Sequence, residues 1–150
     1  MVNLSISNQY KKYIDKAWLN QVVNTTLTYE EVDYENSDLS ILVRNDEFLR
    51  KLKNKYFGIN ETTDVLSFPA GDEDPESHRM YLGDIIVSLP QTQRQAEAAG
   101  KTLQQEFALL IVHGILHLLG FDHADESTQQ EMWAHQDAIL KEINKGTVHA

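Results

Sequence analysis

The chain predicts an α+β fold: a single domain with a small mixed β-sheet of about four strands packed with helices, the central helix carrying histidines. Three observations predict it. Four short segments are rich in β-branched and apolar residues and end at turn formers. Segments of helical period alternate with the first strands and then run three in succession, in the order β, α, β, α, β, β, α, α, α. The stretch from Phe107 to Leu119 is apolar nearly all round, as a helix enclosed by other elements reads. With 150 residues, 41% of them hydrophobic, the chain has apolar material for one core and one domain spanning 1–150.

Taken in order, Val2, Leu4 and Ile6 alternate with polar residues as a half-buried strand does. Tyr10, Ile14, Ala17, Trp18 and Val22 recur at helical spacing and predict one first helix. An acidic, loop-like stretch around 30–38 leads into the strand Leu39 to Val43. Asn45 or Asp46 caps the next helix, whose Phe48, Leu49, Leu52 and Tyr56 point inward and whose basic residues point outward. Thr63 to Phe68 and Tyr81 to Ser88 read as two strands, joined through the acidic, turn-rich AGDEDPESHRM as a mobile hairpin loop. Pro90 to Ala99 is helical and stops at Gly100. Thr102 with Gln105 forms a capping box for the histidine-bearing helix. Ser127 or Thr128 starts a last amphipathic helix on Met132, Trp133, Ile139, Leu140 and Ile143.

Composition narrows the function. A net charge of −10 excludes a protein that coats nucleic acid by general attraction, because such binding is driven by Lys and Arg on phosphates. Arg44, Arg50, Lys51, Lys53 and Lys55 nevertheless fall within twelve residues. They form either a phosphate-facing patch or the solvated face of an amphipathic helix. With no cysteine, thiolates drop out as ligands or nucleophiles, which accords with a cytoplasmic setting. No run is long and apolar enough to span a bilayer, and no membrane partner is expected.

The chemistry is concentrated in HGILHLLGFDH. His113 and His117, four apart on a helix, stack one turn above the other on one face. Gly120 can take the left-handed conformation that ends a helix and folds the chain back, bringing His123 to the other two. Three neutral imidazoles suit one Zn²⁺ and leave its fourth tetrahedral position to water, the arrangement of a catalytic site. Bound Zn²⁺ lowers the pKa of water from about 16 to near 7, so hydrolysis of an amide or of a phosphodiester is equally open to such a site. The spacing matches the metzincin proteases, HExxHxxGxxH, yet position 114 is Gly where they carry a general-base Glu. A metallopeptidase on this ligand set therefore lacks its main catalytic group.

HGILHLLGFDH, TDVLSFP at 63–69 and LGDIIVS at 82–88 together resemble the YbeY family of bacterial endoribonucleases, also described as rRNA maturation factors. The resemblance implies a zinc-dependent, single-strand-selective RNase that acts in rRNA 3′-end maturation and ribosome quality control. It also implies His113, His117 and His123 as metal ligands, with 63–68 and 82–88 as cleft walls. The partners it implies are single-stranded or ribosomal RNA, the small ribosomal subunit and an assembly GTPase. A non-catalytic ribosome-assembly factor with a structural metal is the reading from a different class.

One departure stands out. Family members carry an arginine in a sequence like YRGKD, and this chain has Tyr56, Phe57, Gly58, Ile59 and Asn60 in its place. An aromatic ring cannot clamp a phosphate as a guanidinium does, so Lys53, Lys55 or Arg79 is expected to take over the contact. Asp84 and Asp64 read either as water-orienting carboxylates, Asp84 being the catalytic candidate, or as turn caps. Asp122 adjoins His123 and either orients an imidazole or serves a turn. Glu106 is either an outer group of the metal site or a solvated first-turn residue. His78, His135 and His149 lack partners at ligand spacing and read as surface residues.

Overall fold

In the computed structural model the described residues are 1–122 and 124–148. Four strands, β1 (Val2–Ile6), β2 (Ser37–Arg44), β3 (Val65–Glu73) and β4 (Met80–Ser88), form one sheet in the order β1-β2-β4-β3. β1, β2 and β4 run parallel and β3 lies antiparallel at the edge, so the sheet is mixed and the predicted α+β architecture stands. Five α-helices accompany it: α1 (Lys16–Tyr29), α2 (Asp46–Phe57), α3 (Leu89–Ala99), α4 (Leu103–Leu118) and α5 (Glu126–Val148).

The core lies between one face of the sheet and α1, α4 and α5. Leu39, Ile41 and Val43 of β2 and Ile85 and Val87 of β4 join Leu19, Val22, Phe107, Ile111, Ile115, Met132 and Ile139 in one buried cluster. Thr102 caps α4 with both halves of the capping box, its side chain accepting from Gln105 N at 3.1 Å and Gln105 Oε1 accepting from Thr102 N at 3.0 Å. Asn45 caps α2 by accepting from Phe48 N at 2.9 Å.

Several local expectations give way. The predicted first helix is two pieces, a 3-10 segment Asn8–Tyr13 and then α1, because Asp15 accepts from Ala17 N and begins a new helix. Ala17 is exposed, and the buried stripe is Leu19, Val22, Val23, Thr26 and Leu27. In α2 only Leu49 is buried, while Phe48 and Tyr56 are exposed. Asp125, accepting from Thr128 N at 2.8 Å, starts α5 earlier than Ser127, and Trp133 faces outward.

The acidic hairpin is shorter than its composition suggests. β3 continues past Pro69 to Glu73, and the turn proper covers 74–79, with Asp74 Oδ1 accepting from Glu76 N and Ser77 N. A strand tolerates Pro69 because β3 is an edge and its register shifts between Pro69 and Asp72. β4 carries its own bulge: Asp38 pairs with Tyr81 but Leu39 pairs with Gly83, so Leu82 and Gly83 fill the place of one residue. Gly83, at φ +140°, adopts backbone that side-chain-bearing residues rarely reach, and a Cβ on it would collide with the Phe68 carbonyl and lie 2.9 Å from Leu118 of α4.

Candidate functional site

The last turns of α4 lie against the edge hairpin because Gly114 has no side chain. A Cβ there would lie 3.0 Å from Ile85 Cγ2 and 3.2 Å from Ser67 Oγ, and Ser67 Oγ donates to the Gly114 carbonyl at 3.3 Å. This also accounts for the missing glutamate: position 114 faces the sheet, where no carboxylate fits. His113 and His117 flank it on the helix face turned to a cleft of about 630 Å³, lined also by Lys53, Phe57, Ile59, Asp64, Ser67 and Pro69.

The two imidazoles converge. Their Nε2 atoms are 3.1 Å apart and their rings meet edge to face, with centroids 4.6 Å apart. His113 Nδ1 lies 3.1 Å from Gln136 Oε1 of α5. An amide oxygen only accepts, so this contact puts a proton on Nδ1, and in the neutral ring it is Nε2 that faces His117 as the acceptor. Such an Nε2 can accept a hydrogen bond from His117 or share a cation with it. Two nitrogens bound tetrahedrally at 2.0–2.1 Å would stand about 3.3 Å apart, so the observed spacing suits a common ion. Among the described residues no group of three or more His, Cys, Asp or Glu converges in this way. His123, the expected third ligand, lies outside the described residues, as does His149. The turn that leads toward 123 is as expected: Gly120, at φ +99°, donates to the His117 carbonyl and Phe121 N donates to the Leu116 carbonyl.

Gln136 was not evident as a site residue. The sequence offers only a polar residue on the apolar stripe of Met132, Ile139 and Ile143; its meeting with His113 depends on the packing of α5 on α4. His135, expected at the surface, is instead part of the packing: its Nδ1 lies 2.7 Å from Glu30 Oε2, and its ring meets Phe121 at 4.8 Å and Tyr29 at 6.0 Å. His78 is exposed as expected.

The other predicted residues divide. Lys53 lines the cleft, whereas Lys55 extends over the exposed ring of Tyr56 at 5.2 Å. Arg44 donates to Ser5, and Arg50 is held by Glu47 and Asn60. Arg79 is not brought to the cleft. Its guanidinium grips Asp38 at 2.6 and 3.0 Å and donates to the Glu35 carbonyl at 2.9 Å, a pairing across 41 residues that sequence spacing could not reveal. That grip holds the Asp38 carboxyl below its usual range, against the opposing effect of burial.

Asp84, the catalytic candidate, also falls elsewhere. Ile85 packs on α4, so its neighbour Asp84 points to the opposite face of the sheet. There it accepts from the Tyr81 hydroxyl, which is also 2.7 Å from Ser40 Oγ; the bulge at Gly83 brings Tyr81 and Asp84 to one face. Burial and this carboxylate push the Tyr81 phenol up, so it stays protonated. Asp64 does line the cleft, but as a clamp: Oδ1 accepts from Val65 N at 2.7 Å and Oδ2 from Gln95 of α3 at 3.3 Å. Asp122 lies on the exposed turn after Gly120. Glu106 is buried, at 5% exposure, which overturns the solvated reading. At 1.5 Å rise per residue it lies about 10 Å along α4 from His113, so it is no direct neighbour of the pair.

Comparison with known proteins agrees with the fold. The family profile described as Endoribonuclease YbeY matches residues 3–144. A curated Endoribonuclease YbeY of Dehalococcoides mccartyi strain 195 is 35% identical over 156 aligned positions, covering 96% of this chain and 90% of that protein. One of Roseiflexus sp. strain RS-1 is 37% identical, covering 95% and 92%. A solution structure of a Thermotoga maritima protein superposes with a TM-score of 0.63 at 22% identity, over 95% of this chain and 89% of that one, a likeness of fold alone.

Proposed function

The chain belongs to the endoribonuclease YbeY family, and on that premise we propose a zinc-dependent endoribonuclease that cuts single-stranded RNA in the cleft beside α4. The coarser statement, an enzyme that cleaves RNA, follows from membership. The convergence of His113 Nε2 and His117 Nε2, with Gln136 fixing the tautomer, is the observation that supports the metal. His113 and His117 would hold one Zn²⁺, with His123 as the third ligand by sequence spacing. When bound, such an ion polarises a phosphodiester and makes water acidic.

The chain's own groups do the rest. Gln136 accepts from His113 Nδ1 and keeps its ring turned into the cleft. Lys53 offers an ammonium to a phosphate of an RNA strand lying along β3, and Asp64 ties the start of β3 itself to α3. Gly114 leaves the site without a protease-type glutamate, which disfavours the peptidase reading. Selection of rRNA 3′ ends, ribosome quality control, a cytoplasmic setting and partnership with the small ribosomal subunit and an assembly GTPase are the parts of the reading supported by family resemblance alone. No helix among the described residues is long and apolar enough to cross a membrane.

Incubation with labelled single-stranded RNA and with an unstructured peptide, each with and without chelator, tests the reading. RNA cleavage that chelator stops and zinc restores is the expected result. Cleavage of the peptide alone would point to a peptidase, and cleavage of neither to a non-catalytic assembly factor.

A further inference from the structure

Where a phosphate-clamping arginine was expected, the cleft presents a ring. Phe57 lines the same cleft as the histidine pair and Lys53, and it is 54% exposed. Its ring is not loose: it stacks on Phe68 of β3 at 22° with centroids 6.0 Å apart, and Phe68 is in turn met edge-on by Tyr56 at 5.3 Å. Gly58, the left-handed cap of α2, ends the helix directly after it. An aromatic that is backed on one side and wet on the other leaves large apolar area in water unless something covers it.

We infer that Phe57, backed by Phe68, is a stacking platform for one unpaired base of the RNA strand whose phosphate is met by Lys53. The inference rests on the proposed RNA-cleaving reading and names the contact by which the cleft takes a single strand. Three features favour a nucleobase as the occupant. The platform is continuous with the cleft that holds the histidines, a cation stands beside it for the flanking phosphate, and an unstacked base offers a π-face whereas a base inside a duplex has both faces covered by its neighbours. Recognition at this position is by stacking rather than by charge: a guanidinium would read the backbone, and a ring reads the presence of a base. A binding step that is mainly stacking also fits a chain of net charge −10, because stacking is not weakened by long-range repulsion as phosphate contacts are.

The test uses a single-stranded RNA oligonucleotide with chelator present to hold off cleavage, read by anisotropy, with the base removed at one position at a time. For the unaltered protein, loss of one particular base is expected to weaken binding by about tenfold, within the range a stacked base contributes on alanine substitution. Phe57→Ala should weaken the intact strand by the same factor and show no further loss when that base is absent, while Phe57→Trp restores affinity. The deficit of Phe57→Ala should persist across salt concentrations, whereas Lys53→Ala should flatten the salt dependence. Equal affinity of Phe57→Ala and the unaltered protein, or additive losses from ring and base, would overturn the platform. So would an effect of Phe57→Ala confined to self-association in sedimentation, which would assign the ring to a second copy. If the unaltered protein binds no strand at all, both readings fall; if it binds and cleaves RNA but ignores Phe57, only this one does.

Discussion

Two of the depressions among the described residues can be set side by side, and the larger is the less suited to chemistry. It has a volume of about 900 Å³ and runs along β1 and β2, lined by Asn3, Ser5, Lys16, Ser40, Leu42 and Arg79 among others. Two of its polar groups are already engaged: Arg79 by Asp38 and the Glu35 carbonyl, and Ser40 by Tyr81, which donates to Asp84. In the smaller cleft, of about 630 Å³, two imidazole nitrogens converge on one point and a lysine and a ring border the same space. Volume locates room, whereas side chains that converge mark a candidate site.

The largest expected difference between the two regions is in turnover. If the proposed zinc site holds, His117→Ala should abolish RNA cleavage and leave the purified protein without zinc, because two ligands hold such an ion poorly, while Arg79→Ala should leave cleavage within about twofold. Strand-cleavage rates and metal analysis of both purified variants check this; Arg79→Ala falling as far as His117→Ala would erase the distinction. Next comes Gly83→Ala, which strains a φ of +140° and drives a methyl into the Phe68 carbonyl and Leu118. A loss of about 3 kcal/mol is expected in denaturant melts. Gln136→Leu keeps the fold but removes the acceptor for His113, and zinc affinity should drop about 10- to 100-fold in competition titrations.

The smallest effect is electrostatic. Arg79 holds Asp38 below its usual range, and hydrogen bonds from Ser88 and Arg94 do the same for Asp46 in spite of the burial that opposes it. Both folded-state values lie below the unfolded one, so the stability they contribute is present above about pH 4 and is lost as pH falls through the folded values. Asp38→Asn should lower stability at neutral pH by under about 1 kcal/mol and flatten the acid limb of a pH-stability curve.

What could be read in advance was what is encoded locally. The Thr102 and Gln105 capping box, the Asn45 cap, the helix stop at Gly120 and the i, i+4 histidines each depend on residues a few positions apart. What escaped depends on distant partners. Asp38 claims Arg79, Tyr81 claims Asp84, Glu30 claims His135 and Gln136 claims His113, and no spacing rule links positions 23 to 105 residues apart. Only the Tyr81 and Asp84 pair is close in sequence, and it needs the bulge at Gly83 to share a face. Pro69 misled for another reason: a proline ends a central strand but not an edge one, and edges are known only once the sheet is ordered.

The strand order has a kinetic consequence. β3 and β4 are neighbours in sequence and can pair early as a hairpin, whereas β1 with β2 and β2 with β4 close long parallel crossovers, steps that high contact order makes slow. The pair of imidazoles needs α4 docked on that hairpin and α5 folded over α4 to deliver Gln136. The cleft is therefore made by contacts between parts of the chain far apart in sequence, and the local hairpin alone is no catalyst in waiting.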